Sequence, residues 1–357
     1  MTVLFNSFFS PLSLREGPGV RLLFLLSLFL LASCSGDTPL SDDKGSVEIR
    51  FQPSVSVSTQ TRLPFDDAQS TPLRAMVFKS LTSGDYIGDA VYEEALTFSG
   101  STALGFSTPQ YFPWDDSPVY LCSLSPWDDL WTDWVYDGST RSTQVSRSLD
   151  GKTDLLLASQ LSVNKSGALA GGASKLAFNH LLTKLKVRAV ADADAPYPPA
   201  DVWGGITKIE LVGVLGQSPS VLVTVNLVSG AAVFSPSVWE PPVAFPLYQM
   251  SGDDLYPAED VLFSDLSVPL PVQAADVAYS LIAPFTPTGE NDLTLKVYTG
   301  HFPQGVEVTA SLDSPEPTAG RYCVVTLTFT TGDKPMIQAT SEISAWQSGD
   351  SMDSVLE

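Results

Sequence analysis

The sequence predicts an all-β protein built as sandwiches or barrels, and three observations carry that reading. Apolar and polar residues alternate with a period of two in segment after segment. Few stretches show helical periodicity. The intervals between the alternating segments are punctuated by 27 prolines and 25 glycines.

In chain order, the first feature is a secretory signal. Arg15 and Arg21 supply the positive region, and Leu22–Leu31 is an apolar run too short to span a bilayer as a helix. Leu31-Ala32-Ser33-Cys34 follows the lipobox pattern, with small residues for the peptidase cleft and a thiol that accepts a diacylglycerol. Residues 1–33 are read as a lipoprotein signal peptide and Cys34 as the lipidated residue, since two or more acyl chains anchor a protein stably. The alternative is an ordinary signal peptide with a chance cysteine. Residues 34–45, small, polar and acidic, form a flexible tether with nothing to bury.

The first expected strand follows. Val47, Ile49 and Phe51 alternate with Glu48, Arg50 and Gln52, and Val55 and Val57 continue the apolar face. Near the other end, Leu293, Leu295 and Val297 share one face, as do Val306, Val308, Ala310 and Leu312. Cys323, Val325, Leu327 and Phe329 form a third such row, which places Tyr322, Val324, Thr326 and Thr328 on the water side. The 324 residues beyond the signal exceed one sandwich, so two domains are expected. The Pro-, Ala- and Asp-rich stretch Ala189–Val202 lies between strong strand segments at Lys175–Val190 and Ile206–Leu215. It sets the division: an N-terminal sandwich at 46–192, and a C-terminal one at 203–357 that includes a polar, acidic tail.

Charge excludes some partners. The chain carries a net −21, and losing a signal peptide of net +1 leaves −22. Nucleic acid and anionic lipid both select basic patches, so neither is an expected partner. Beyond Cys34 there are Cys122 and Cys323, which read either as buried free thiols or as a disulfide pair.

No catalytic constellation emerges, and no cofactor or metal is expected. There are two histidines, His180 and His301, and no HExxH, GxSxG or CxxC pattern. His180 reads as a structural histidine between strands. The segment Tyr111–Gly138 sets Trp114, Trp127, Trp131 and Trp134 beside Asp115, Asp116, Asp128, Asp129 and Asp133. Rings beside carboxylates suit sugar binding, and the density of acids suits Ca²⁺, although the spacing is not that of an EF-hand loop. The competing reading is a loop whose tryptophans plug the edge of a sandwich. Arg62 closes a polar segment after the first strand, and is either a trypsin-like cleavage point or an ordinary surface arginine.

Together these features resemble the fimbrillin family of Bacteroidetes, the lipoprotein precursors of type V pili. The marks lie in order. The first strand Val47–Ser58 is followed by Thr61-Arg62, and Tyr111-Phe112-Pro113 precedes Val119–Leu124 and Ser125-Pro126. Asp154-Leu155-Leu156-Leu157-Ala158 comes next, then Leu176–Val187 in the form L-x-F-x-H-x-x-x-K-L-x-V, and Tyr322–Phe329 with Ile343-Ser344-Ala345-Trp346 near the end. The match covers nearly the whole mature chain, and its specificity lies in that order and in the lipobox.

The resemblance implies two tandem transthyretin-like Greek-key β-sandwich domains and assembly by strand exchange. Cleavage at Arg62 would remove the strand bearing Val47, Ile49, Phe51, Val55 and Val57. A strand from another fimbrial subunit would then fill the groove. The implied setting is an outer membrane lipoprotein at the cell surface, joined to the membrane through Cys34 and later part of a fimbrium. The tail Gln347–Glu357 has no alternating run long enough to act as a donor. An accessory or tip subunit, or an anchor, therefore fits at least as well as a stalk subunit. The sequence reading is a fimbrillin-like structural and adhesive subunit that contacts surface glycans or proteins. The alternative is a glycan-binding surface lipoprotein using Trp114, Trp127, Trp131 or Trp134, or a non-polymerising fimbrial anchor.

Overall fold

The computed structural model describes residues 45–56, 73–98, 102–236, 244–249, 268–314, 316 and 318–345. The signal peptide, Cys34, Val57, Arg62 and the tail from Gln347 lie outside these residues, as does the side chain of Val55. Among the described residues, the alternating segments form four sheets.

The largest sheet has seven strands, in the order β3 (Tyr92–Phe98), β2 (Leu73–Ser80), β5 (Val119–Ser125), β8 (Leu156–Val163), β9 (Ser174–His180), β1 (Arg50–Ser56) and β4 (Leu104–Gly105). Facing it is a four-stranded sheet of β13 (Ala232–Pro236), β12 (Ser220–Asn226), β7 (Ser142–Ser148) and β6 (Trp131–Asp137). A five-stranded sheet runs β15 (Tyr248–Gln249), β16 (Ala275–Ile282), β10 (Thr183–Ala191), β19 (Arg321–Thr330) and β20 (Met336–Ala345). Its partner contains β14 (Phe245–Pro246), β11 (Ile206–Val214), β17 (Leu293–Thr299) and β18 (Val306–Ala310). Among the described residues, two short helices, α1 (Lys165–Gly171) and α2 (Pro199–Trp203), join strands.

The inward phases follow the alternation. Leu293, Leu295 and Val297 meet Cys323, Val325, Leu327 and Phe329 in one core, all fully buried. A second core lies between the seven-stranded sheet and its partner, where Met76, Phe78 and Leu124 oppose Val145, Val223 and Val225. The third lies on the other face of the seven-stranded sheet, where Ala75, Val77 and Leu121 of one wing pack with Ile49, Phe51 and Phe178 of the other. For both wings to share a core the sheet must curl on itself, as twisted sheets of many strands do.

Sheet membership departs from the expected division at 192/203. The segment read as one strand, Lys175–Val190, breaks at Leu181-Leu182. Before the break, β9 belongs to the seven-stranded sheet; after it, β10 runs in the middle of the five-stranded sheet, antiparallel to β16 and parallel to β19. Conversely, β12 pairs with β7, and so places residues from beyond the division beside the N-terminal strands. The Pro-rich stretch around 189–202 connects β10, through α2, to the facing sheet of the same sandwich. Its composition marks a crossing between layers, which needs the same breakers as a linker does.

Part of the outer face of the five-stranded sheet is also buried. Tyr322 and Val324, expected in water, are 6% and 5% exposed. The Lys184 ammonium lies 5.6 Å from the ring centroids of both Tyr279 and Tyr322. Lys186 Nζ sits 3.0 Å from Asp276 Oδ2, and Arg188 Nε donates to Asp276 Oδ1 at 2.8 Å. Charged groups survive burial there because the carboxylate and the ring faces replace water.

Candidate functional site

The candidate site is the first strand and the slot that holds it. Ile49 and Phe51 are fully buried, Val47 packs against the same core, and Pro53 continues the inward phase. Arg50, Gln52 and Ser54 point the other way and are exposed or half-buried. The strand is clamped on both edges. From Phe51 to Ser56 it runs parallel to β9, in the register Phe51 with Ser174 through Ser56 with Asn179. Along its other edge, Arg50 and Phe51 pair antiparallel with Gly105 and Leu104.

Just upstream, the Ile49 N–H donates to Gln110 O at 2.7 Å, and the Phe112 N–H donates to Val47 O at 3.0 Å. The Arg50 guanidinium donates to Ala103 O at 3.3 Å. Pro53 falls beyond the two β4 pairs, where among the described residues that edge has no ladder and a missing N–H is tolerated.

The slot wall is aromatic. The Phe51 ring meets those of Phe106 and Phe98 edge-on, with centroids 5.1 Å and 6.1 Å apart. Phe178 lies 6.1 Å beyond Phe98, and Phe112 and Leu176 complete the same core. Sequence reading singled out the strand but not these walls. Phe98 and Phe178 each sit in alternating segments, and nothing local marks their meeting at Phe51.

Among the described residues, the contacts of this strand are backbone hydrogen bonds and apolar packing, apart from the exposed Arg50 bond to a carbonyl. None depends on the identity of the chain that supplies the strand. Another strand with large apolar residues at alternate positions could satisfy the same partners.

The tryptophans separate. Trp131 is 5% exposed, its indole N–H donates to Pro126 O at 2.9 Å, and the Arg147 guanidinium lies 5.3 Å over its ring. Trp127 and Trp134 pack on Phe78, with centroids 6.3 Å and 5.6 Å away. These three close the end of the second core. Trp114 is 89% exposed. Of the acids among them, Asp128 is engaged by both terminal nitrogens of Arg147, and Asp116 accepts from Ser166. Among the described residues no group of three or more His, Cys, Asp or Glu is placed to hold a metal ion.

His180 Nδ1 lies 2.7 Å from Asp154 Oδ2 at the end of β9, consistent with a structural histidine. His301 Nδ1 lies 3.1 Å from Val202 O. Cys122 and Cys323 are buried free thiols in different cores, so the disulfide alternative is excluded.

An all-β sandwich protein with a non-covalently clamped first strand has structural relatives. The chain is similar to a candidate cell adhesion protein from Bacteroides uniformis ATCC 8492, with 17% identity, a TM-score of 0.51 and coverage of 85% of this chain and 98% of that one. It is also similar to a candidate cell adhesion protein from Bacteroides ovatus ATCC 8483, with 15% identity, a TM-score of 0.49 and coverage of 86% and 100%. The C-terminally truncated tip fimbrial protein Mfa3 from Porphyromonas gingivalis matches at 12% identity and a TM-score of 0.42, covering 84% and 100%. No protein-family model and no curated protein matches the sequence. The likeness to the B. uniformis protein establishes a shared fold over most of the chain.

Proposed function

We propose that the chain is a fimbrillin-like structural and adhesive subunit of a cell-surface fimbria. In this reading it is exported as an outer membrane lipoprotein through Cys34 and joins other subunits by strand exchange, in an accessory or tip position. The observation that carries the reading is the first strand itself, buried at Ile49 and Phe51 and held, among the described residues, by backbone pairing and apolar packing that another strand could supply. The segment that follows it in sequence, before β2, contains Arg62.

A cut there would leave the strand attached only by contacts that a second strand can replace. Burying Ile49 and Phe51 contributes about 1.5–3 kcal/mol each, so a vacated slot is strongly driven to refill. The fold shared with a candidate cell adhesion protein supports the same reading.

The experiment is electron microscopy of cells carrying the wild-type chain, an Arg62→Ala variant or no chain. Loss of surface assemblies containing this protein in the Arg62→Ala cells supports strand exchange. Unaltered incorporation of the uncut variant contradicts it.

A further inference from the structure

We propose that the loop corner carrying Tyr111, Trp114 and Leu169 is a membrane-facing surface, seated in the interfacial layer of the bilayer to which the chain is tethered. The proposal rests on the lipoprotein reading of Cys34. Trp114 is 89% exposed, Leu169 68% and Tyr111 49%.

The three belong to one corner. The Asp116 carboxylate accepts from the Ser166 N–H at 2.8 Å, from Ser166 Oγ at 2.7 Å and from Asn164 Nδ2 at 3.2 Å, which ties the Trp114 loop to the first turn of α1. Leu169 follows Ser166 by three residues and therefore shares its side of the helix. Tyr111 bridges to Glu48, where the chain approaches the first strand.

The tether determines what this corner faces. Eleven residues separate Cys34 from Ser46. A chain of that length cannot exceed about 40 Å. The corner beside Val47 is thus the described part of the protein nearest to the lipid along the chain. Tryptophan and tyrosine favour the membrane–water interface, where a ring can be half in hydrocarbon and half in water.

The anchored loop presents Trp114 already ordered, so insertion costs little further entropy. A tether raises the local concentration to about the millimolar range, and a weak apolar contact then suffices. Glu48, Asp115 and Asp116 outnumber Lys165 at this corner, so the contact is apolar insertion and not charge attraction. Cutting at Arg62 would remove the tether and release the surface.

The test uses the mature chain from Cys34, coupled through that thiol to a maleimide phospholipid in phosphatidylcholine vesicles with brominated acyl chains. Cys122 and Cys323 are buried, so coupling is selective. The expected result is quenching of the Trp114 emission. Trp114→Phe abolishes it, Leu169→Ser reduces it and added anionic lipid weakens it. Equal quenching in Trp114→Phe, no quenching in either chain, or Trp114 emission that responds to soluble glycans and not to lipid overturns the proposal. Because the tether is imposed chemically, failure speaks to the surface alone. The N-terminal mass of cell-derived protein decides separately whether Cys34 is lipidated.

Discussion

The ring of Phe51, on the first strand, stands edge-on to the ring of Phe106 with 5.1 Å between centroids. This contact joins a strand that strand exchange would remove to a wall that would stay behind. Phe51→Ala empties the centre of that core and should cost about 3–5 kcal/mol in urea denaturation, with Ile49→Val costing about 0.5–1.5 kcal/mol. A Phe51→Ala cost below that of Ile49→Val would show that the slot is not organised around the aromatic.

A slot that accepts any matching strand can be refilled from outside. After cutting at Arg62 and stripping the first strand, a synthetic peptide of residues 46–58 should raise the melting temperature in a concentration-dependent way. The same peptide with Phe51→Ala should raise it far less. Equal rescue by a scrambled peptide would contradict the register seen along β9.

Asp128 and Trp114 predict opposite outcomes within one Trp- and Asp-rich segment. Arg147 is 2% exposed and donates to Asp128 Oδ2 at 2.8 Å. Asp128→Ala strands a buried guanidinium and should cost about 3–5 kcal/mol. Trp114→Ala, on the exposed corner, should change stability by less than about 0.5 kcal/mol. Denaturant midpoints of the two variants check both.

Lys184 gives the protein a pH-dependent stability. Burial, and secondarily Lys186, push its ammonium down to about 8, against the opposing pull of Asp154 and Asp276. The folded value lies below the unfolded 10.5, so the fold favours the neutral amine. Below pH 8 the cost of burying the charge is present in full, and it is relieved as pH rises from 8 towards 10.5. Lys184→Met, which keeps the aliphatic packing against Tyr279 and Tyr322, should therefore be more stable than wild type at pH 7. That advantage should shrink by pH 10 in paired urea titrations.

The two inner thiols should be inert. Burial pushes the Cys122 thiol well above its ordinary value, and burial together with the charge of Asp292 takes Cys323 to about 12. A thiol reagent at pH 8 should label neither in the folded chain and both in urea.

How much of this the sequence revealed depends on the link in question. Period-two alternation identified which residues of the first strand turn inward, and Ile49 and Phe51 are buried as it implies. It identified the cores of β17 and β19 in the same way. Alternation reports a face and not a neighbour. The break at Leu181-Leu182, which sends β9 and β10 to different sheets, has no local signal because both residues are apolar and continue the run. Tyr322 and Val324 were assigned to water by the same rule, and both are buried, Tyr322 as a member of the second core. The tryptophan cluster drew attention through composition alone. Its division into three packed rings and one exposed ring follows from Phe78 and Arg147, which composition does not connect to it.

The central claim, that the first strand is removable, is tested most directly by the N-terminus of the protein on intact cells. Mass spectrometry of surface-assembled protein should find chains beginning at Leu63, with the strand bearing Ile49 and Phe51 absent. Assembled chains that all begin at Cys34 would contradict the account and leave that residue as the permanent root of an uncut anchor.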